Sequence, residues 1–318
     1  GSNVKVDTKS NPADAPSRKQ ALPEPESAPE WLENLLPQEK VDCSWSEKVP
    51  MSARMFREGF AGCGNLSRHM LKQGIPVARP QEPYPASQNQ RRKSQRYIRV
   101  NDLMCPDVYA CVEREIDFGL YTYYHFGICC GGWGKANEMN GGTRTMECPM
   151  GGGKGKEVLE REMLANEMAV AVCKLCVRLY TQGCFFSLEN PLTSHLWLSD
   201  PFLDLRAVCG DHLVLVDFHQ CQFGLRLPGS KANQFCKKAT RIATNMATLS
   251  KLSRFCPGVS AAHAHDVAWG AVKVRGKWLS KAAAAGQYPD ELCQEWSALA
   301  AAALGDRFWK GPCPWRGH

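Results

Sequence analysis

His125-Phe-Gly-Ile-Cys-Cys-Gly-Gly-Trp-Gly-Lys-Ala-Asn137 is the stretch whose reading decides the fold. An apolar, aromatic run over 120–126 enters it, and a glycine-rich loop leaves it. A β-strand ending in a glycine turn presents the next side chain at the carboxyl edge of a sheet. Open α/β sheets bind ligands and hold reactive groups at that edge. Cys130, at the turn, is therefore either a nucleophile or a small buried residue, as free cysteine often is. Which of the two depends on whether the rest of the chain supplies a partner, a cofactor site and an acid.

Working outward, residues 53–60 read as a strand that runs into Gly62-Cys-Gly64 and a helix from 65 to 73, closed by Gly74. Residues 75–78 and 97–100 read as further short strands, with a polar, proline-rich loop over 80–96 and a helix over 107–115. Downstream, Leu159, Met163, Met168, Val172, Leu175 and Leu179 recur at helical spacing, which predicts a helix over 156–180. Residues 184–188 and 213–218 read as strands and 241–255 as a helix. This alternation predicts an α/β fold, a mostly parallel, doubly wound sheet covered on both faces. Past His265 the pattern changes to a hairpin over 271–279, turning at Arg275-Gly276, and an alanine-rich helix over 289–304 before Gly305. The expected organisation is a disordered tail over 1–44, an α/β domain over 45–268 and a small hairpin-plus-helix appendage over 269–318.

Composition narrows the class. The chain has 318 residues, 44% of them hydrophobic, a net charge of +7 and 16 cysteines at no regular spacing. With no signal peptide in view, the cysteines read as intracellular thiols, in nucleus or cytoplasm. Gly1-Ser2 reads as a cloning remnant, so a natural start upstream is expected. The tail is rich in Pro, Ser, Glu and Lys and too polar to build a core. The longest apolar stretch, 163–180, contains Glu167, Lys174 and Arg178 and reads as a buried helix, so no membrane partner is expected. Arg91, Arg92, Lys93, Arg96 and Arg99 form an acid-free basic stretch, either a solvated loop or a set of phosphate contacts.

Glu58-Gly-Phe-Ala-Gly-Cys-Gly64 is a strand, a glycine turn and a helix start. Glycines let a ligand approach the backbone, and the helix N-terminus carries partial positive charge. A dinucleotide fingerprint would carry a third glycine where Ser67 stands. Glu58 before the turn suggests a cationic ligand. Glu82 and Asp102, near the ends of the next two strands, suit a ribose diol and an exocyclic amine.

These motifs resemble the S-adenosylmethionine-dependent methyltransferases, specifically the cytosine-5 DNA methyltransferases. The likeness is strongest to divergent, retroelement-associated methyltransferase-like domains of protists. It rests on three motifs in order: Glu58-x-Phe60-x-Gly62-x-Gly64, Gly127-Ile-Cys-Cys130 and Glu189-Asn190-Pro191. Three further segments carry it, from His125 to Gly131, from Glu189 to Trp197, and Cys256 with His263 and His265. It spans roughly residues 53–300. The resemblance implies S-adenosylmethionine as cofactor, held by Glu58, Phe60, Gly62, Gly64, Glu82 and Asp102. It implies cytosine in DNA or RNA as substrate, and a place within a larger polyprotein. Cys130 would add to cytosine carbon 6, making an enamine that attacks the sulfonium methyl group. Glu189 would protonate ring N3, and Asn190 with Pro191 would shape the turn holding it. The base would leave its stack to be reached, beneath a mobile loop over 131–155, which holds nine glycines. The family's proline before the nucleophile is Cys129 here, and its Phe-Ser is Trp133-Gly134. A chain that keeps the fold without the reaction, as a nucleic-acid- or partner-binding module, is the alternative.

Two cysteine sets remain. Cys173 and Cys176 form a C-x-x-C inside a helix with no second pair nearby, which reads as structural burial. Cys256, His263 and His265, with Cys221, have the donor types of a four-ligand zinc site, but their irregular spacing leads us to expect no metal.

Overall fold

The computed structural model describes residues 54–83, 98–274 and 276–305. The tail over 1–44, Arg91, Arg92, Lys93 and Arg96, and the hairpin residue Arg275 lie outside them.

In chain order the elements are β1 (Met55–Gly59), α1 (Asn65–Lys72), α2 (Pro106–Asp117), β2 (Tyr121–Gly127), α3 (Lys135–Met139) and α4 (Glu160–Thr181). Then follow β3 (Phe185–Pro191), α5 (Asp200–Cys209), β4 (Val214–His219), β5 (Gln234–Cys236), β6 (Ala239–Thr244) and β7 (Ala264–Asp266). A hairpin of β8 (Ala271–Val274) and β9 (Lys277–Ser280), then α6 (Lys281–Ala285) and α7 (Asp290–Leu304), complete the described chain. The main sheet has five strands in the order β1-β2-β3-β6-β4, and β5 with β7 forms a separate pair. β1, β2 and β3 run parallel, whereas β6 is antiparallel to both β3 and β4. The fold is thus α/β, with a mixed sheet that is parallel at its start. Among the described residues no helix is long and apolar enough to cross a membrane.

β6 replaces the first part of the helix expected over 241–255. Thr240, Ile242 and Thr244 alternate and are fully buried, a period of two that suits β-branched side chains in a central strand. The rest of that segment is a 3-10 turn, Ala247–Leu252. Two expected short strands are also reduced. Residues 75–78 contribute one bridge, Phe56 to Val77, and Gly59 makes another to Gln81. Arg99–Asn101 is a 3-10 turn rather than a strand. α4 starts at Glu160, later than the expected 156, because the Glu162 side chain turns back to accept the Leu159 N–H at 3.2 Å.

Both faces of the sheet are covered. On one, Tyr124 and Phe126 of β2 pack with Val172, Leu175 and Leu179 of α4 and Phe202 of α5. On the other, Phe56 and Tyr123 pack with Leu66 and Met70 of α1 and with Leu292, Trp296 and Ala300 of α7. The helix expected in a C-terminal appendage therefore belongs to the core. Its Trp296 is fully buried, and the indole N–H donates to the Tyr123 hydroxyl at 2.8 Å.

Candidate active site

The sheet turns its carboxyl edge toward three segments: the glycine turn after β1, the cysteine turn after β2 and the end of β3. In the first, Glu58 is buried and its Oε2 accepts the Ser67 N–H at 2.9 Å and the Ser67 hydroxyl at 2.5 Å. Burial pushes its carboxyl up to about 7, although the Ser67 hydrogen bonds favour the charged form. Glu58 thus caps the first turn of α1, and Ser67 occupies the expected third-glycine position as its donor. Through that one oxygen Glu58 positions the turn. Phe60 adopts a left-handed backbone at φ 57°, a conformation costing about 1–3 kcal/mol for a non-glycine residue, of the kind that clusters at ligand sites. Gly62 and Gly64 follow at φ 54° and 64°. The Gly62 N–H donates to Glu82 Oε2 at 3.0 Å, so Glu58, Phe60, Gly62, Gly64 and Glu82 form one group. A Cβ placed on Gly62 meets nothing within 4 Å, leaving that face of the turn open. Asp102 accepts the Met104 N–H at 3.0 Å and shapes its own turn after residues 99–101.

The second and third segments meet. Gly127 of β2 pairs with Glu189 of β3, which puts Cys130 just beyond the carboxylate. Residues 189–191 lie in β3 and not in a turn. Asn190 acts instead by donating its amide to the Ile128 carbonyl at 3.0 Å, tying the cysteine turn to the strand. Glu189 is 6% exposed. The Tyr288 hydroxyl donates to its Oε2 at 3.0 Å, and Lys238 Nζ stands 3.8 Å from its Oε1. Glu189 Oε1 and Asn190 Oδ1 are buried acceptors with no hydrogen-bond partner. Cys130 is open to solvent on one side but crowded enough by protein that loss of hydration pushes its thiol above the ordinary range. Lys238 pulls the thiol down and Glu189 pushes it up, so the three groups sense one another.

Behind them runs a buried chain of hydroxyls and one imidazole. His125 Nε2 lies 3.1 Å from the Tyr288 hydroxyl, and its Nδ1 lies 2.8 Å from Ser187 Oγ. Ser187 Oγ is in turn 2.7 Å from the Tyr123 hydroxyl. Burial drives the His125 pKa down to about 3, so it is a neutral ring throughout the physiological range. Sequence reasoning missed Lys238 and Tyr288. Neither sits in a motif, and only the chain's return past β3 delivers them. A groove of ≈ 690 Å³ is lined by Cys63, Arg68, Lys72, Arg226 and Tyr288 but not by Cys130 or Glu189.

The loop over 131–155, expected to be mobile, is fastened. Arg144 is buried, stacks on the Trp133 ring at 3.7 Å and donates to the Gly132, Pro149 and Glu162 carbonyls. Glu162, fully buried, accepts from Asn137 Nδ2 at 2.6 Å, from the Thr143 N–H at 2.8 Å and from the Thr143 hydroxyl. Burial works against its charge, but these donors and the Leu159 N–H together hold the carboxyl down to about 2.

Elsewhere, Arg99 pairs with Asp107 at 3.1 Å. Cys173 and Cys176 are buried in α4, both thiols raised by burial, Cys173 to about 12. Cys221, Cys256, His263 and His265, which the irregular spacing argued against as a set, converge with their ligand atoms within 4.8 Å of one another. No protein-family model matches the chain, and no curated protein is similar to it.

Proposed function

We propose that this chain transfers a methyl group from S-adenosylmethionine to cytosine in nucleic acid, with Cys130 as nucleophile and Glu189 as acid. The observation that carries the reading is the meeting of Cys130 and Glu189 at the sheet edge beside the open glycine turn. Two separately spaced motifs supply the nucleophile and the acid, and they sense each other's charge. The cofactor residues fit as well. Glu82 already sits on the Gly62 N–H, and nothing fills the space over Gly62. When bound, S-adenosylmethionine supplies the electrophilic methyl group. Phe60, Gly62, Gly64 and Glu82 would hold it, and Glu58 would act indirectly by fixing the turn.

The chain's own residues then divide the work. Cys130 gives its proton to solvent and adds to carbon 6 of the ring, raising electron density at carbon 5; once carbon 5 carries the methyl group it loses its own proton to solvent and the Cys130 sulfur leaves carbon 6 as a thiolate. The raised thiol means that the proton must be removed as the base arrives, and Lys238 favours that ionisation. Glu189 offers its Oε1, which has no hydrogen-bond partner, to the base, while Tyr288 holds Oε2 in place. Asn190 fixes the approach of the cysteine turn.

The test incubates the chain with radiolabelled S-adenosylmethionine and cytosine-containing DNA or RNA. Label should enter the nucleic acid, and Cys130→Ala should abolish it. Equal labelling by wild type and Cys130→Ala, or no labelling of any nucleic acid, would overturn the reading. The raised thiol favours a second reading, a nucleic-acid-binding module without turnover. That reading predicts saturable nucleic-acid binding that Cys130→Ala leaves unchanged, with no transfer.

A further inference from the structure

We propose that Cys221, Cys256, His263 and His265 bind one zinc ion in a closed, structural site that clamps the β5–β7 pair onto the end of β4. The site is independent of the methyl-transfer reading and stands whether or not the chain is an enzyme.

The four donors come from three segments. Cys221 lies in the 3-10 turn that follows β4, Gln220–Phe223. Cys256 follows the 247–252 turn. His263 and His265 are two residues apart at the start of β7, so their side chains leave the same face of the strand. Three of the pairwise distances are those of a coordination sphere, and Cys221 Sγ lies within 4.8 Å of the other ligand atoms. Cys256 Sγ is 3.5 Å from His263 Nε2 and 3.3 Å from His265 Nε2, and the two Nε2 atoms are 3.2 Å apart. Tetrahedral zinc with bonds of about 2.3 Å to sulfur and about 2.05 Å to nitrogen requires sulfur–nitrogen edges of about 3.6 Å and nitrogen–nitrogen edges of about 3.3 Å.

Hydrogen bonding alone does not account for this triangle. A neutral imidazole nitrogen that carries a proton cannot also accept one, and a thiol has one proton to give. At most two of the three contacts can be hydrogen bonds, which leaves the third as two polar atoms facing each other without a bridge. A divalent cation satisfies all three and engages Cys221 as well. Two sulfurs and two imidazoles in this arrangement select zinc among the common cations, and four protein ligands leave no open position for catalysis.

The surroundings hold the ligands in place. The Gly258 N–H donates to Cys256 Sγ at 3.4 Å, which would stabilise a thiolate. The Cys256 N–H donates to His219 Nδ1 at 2.9 Å, joining that ligand to the end of β4. Phe235 stacks on the His263 ring at 4.7 Å with planes 13° apart. Phe235 also pairs with His265 in the β5–β7 register. Two residues after β5 comes Lys238, whose carbonyl accepts the Gln220 N–H at 3.1 Å. The clamp therefore braces the segment that carries Lys238 to Glu189.

The test uses the full chain, expressed with zinc in the medium and purified without a histidine tag. Elemental analysis should give about one zinc per chain. Replacement by cobalt should give the visible absorption of a tetrahedral ion together with a thiolate-to-metal band. His263→Ala with His265→Ala should weaken metal binding by more than ~100-fold. His265→Cys, which keeps a competent ligand, should retain the metal with a stronger thiolate band. That variant keeps the proposal testable if the double substitution fails to fold. Substoichiometric zinc with no tetrahedral cobalt spectrum would overturn the proposal, as would a double variant that binds metal like wild type.

Discussion

Glu162→Gln probes how firmly the glycine loop next to Cys130 is held. The ordinary carboxyl value is 4.5, and in the fold it is about 2. At about 1.36 kcal/mol per decade, that gap is worth at most ~3 kcal/mol of stability at pH 7. The side chain has no surface in contact with solvent, and screening by water beyond the loop makes the figure an upper bound. The sign follows from the depressed carboxyl. Its contribution is complete above the unfolded value and drains away as pH falls through 4.5 toward 2. By the same relation, a little under half of it should remain at pH 3. Glutamine keeps the shape but turns an NH2 group toward the donors on Asn137 and Thr143. Urea melts of wild type and variant at pH 7 and pH 3 measure the difference directly, because other carboxyl groups titrate in both. The difference should be ~3 kcal/mol at pH 7 and roughly half that at pH 3. A difference below ~1 kcal/mol at pH 7, or one that does not shrink on acidification, would refute the claim that charged Glu162 fastens the loop.

Other outcomes follow from the same geometry. Alkylation of Cys130 by iodoacetamide should rise with pH and reach half its limiting rate above the ordinary thiol range, because the raised thiol is protonated at pH 7. Lys238→Ala should move that profile further up and Glu189→Gln should move it down, read by mass spectrometry of the Cys130 peptide. Tyr288→Phe removes the hydroxyl between His125 and Glu189 and should cost about 1.5–3 kcal/mol in a urea melt, as for a buried hydrogen bond to a charged group. Gly127→Ala brings a Cβ to 3.1 Å from the same hydroxyl and should cost about 1–3 kcal/mol by displacing Tyr288.

What could be read in the sequence, and what could not, divides along a physical line. β1, β2 and β3 and the turns after β1 and β2 are legible because each is specified locally, by apolar strands running into glycines or into the Glu189-Asn190-Pro191 run. The partnership of Cys130 and Glu189 is implied by the resemblance, and the parallel register of β2 and β3 is what brings the two segments together. β6 is misread as helix because Arg241 to Thr244 carries no turn signal, and its period of two shows only once Thr240 and Ile242 are known to be buried between β3 and β4. The loop over 131–155 is misjudged for a related reason. Glycine content predicts freedom, yet Arg144 and Glu162 supply the donors and acceptors that remove it. The Cys221, Cys256, His263 and His265 set has no regular spacing because its members arrive on three segments that only the folded chain brings together.

The same logic explains why the last described helix matters to the site. Trp296 on α7 donates to Tyr123, Tyr123 meets Ser187, Ser187 meets His125, and His125 meets Tyr288, which holds Glu189. Every link except the half-buried Tyr288 is a buried polar group whose partner is the next, so those links cannot lose a neighbour cheaply. With burial lowering its pKa to about 3, His125 is neutral near pH 7 and joins two hydroxyls without adding a positive charge behind Glu189. Acidification toward that value would charge the ring in a site that burial makes costly, so His125 removes stability as pH falls below its unfolded value of 6.5. The acid at the sheet edge is therefore oriented from the far end of the chain, by a helix that shares the core of the domain it completes.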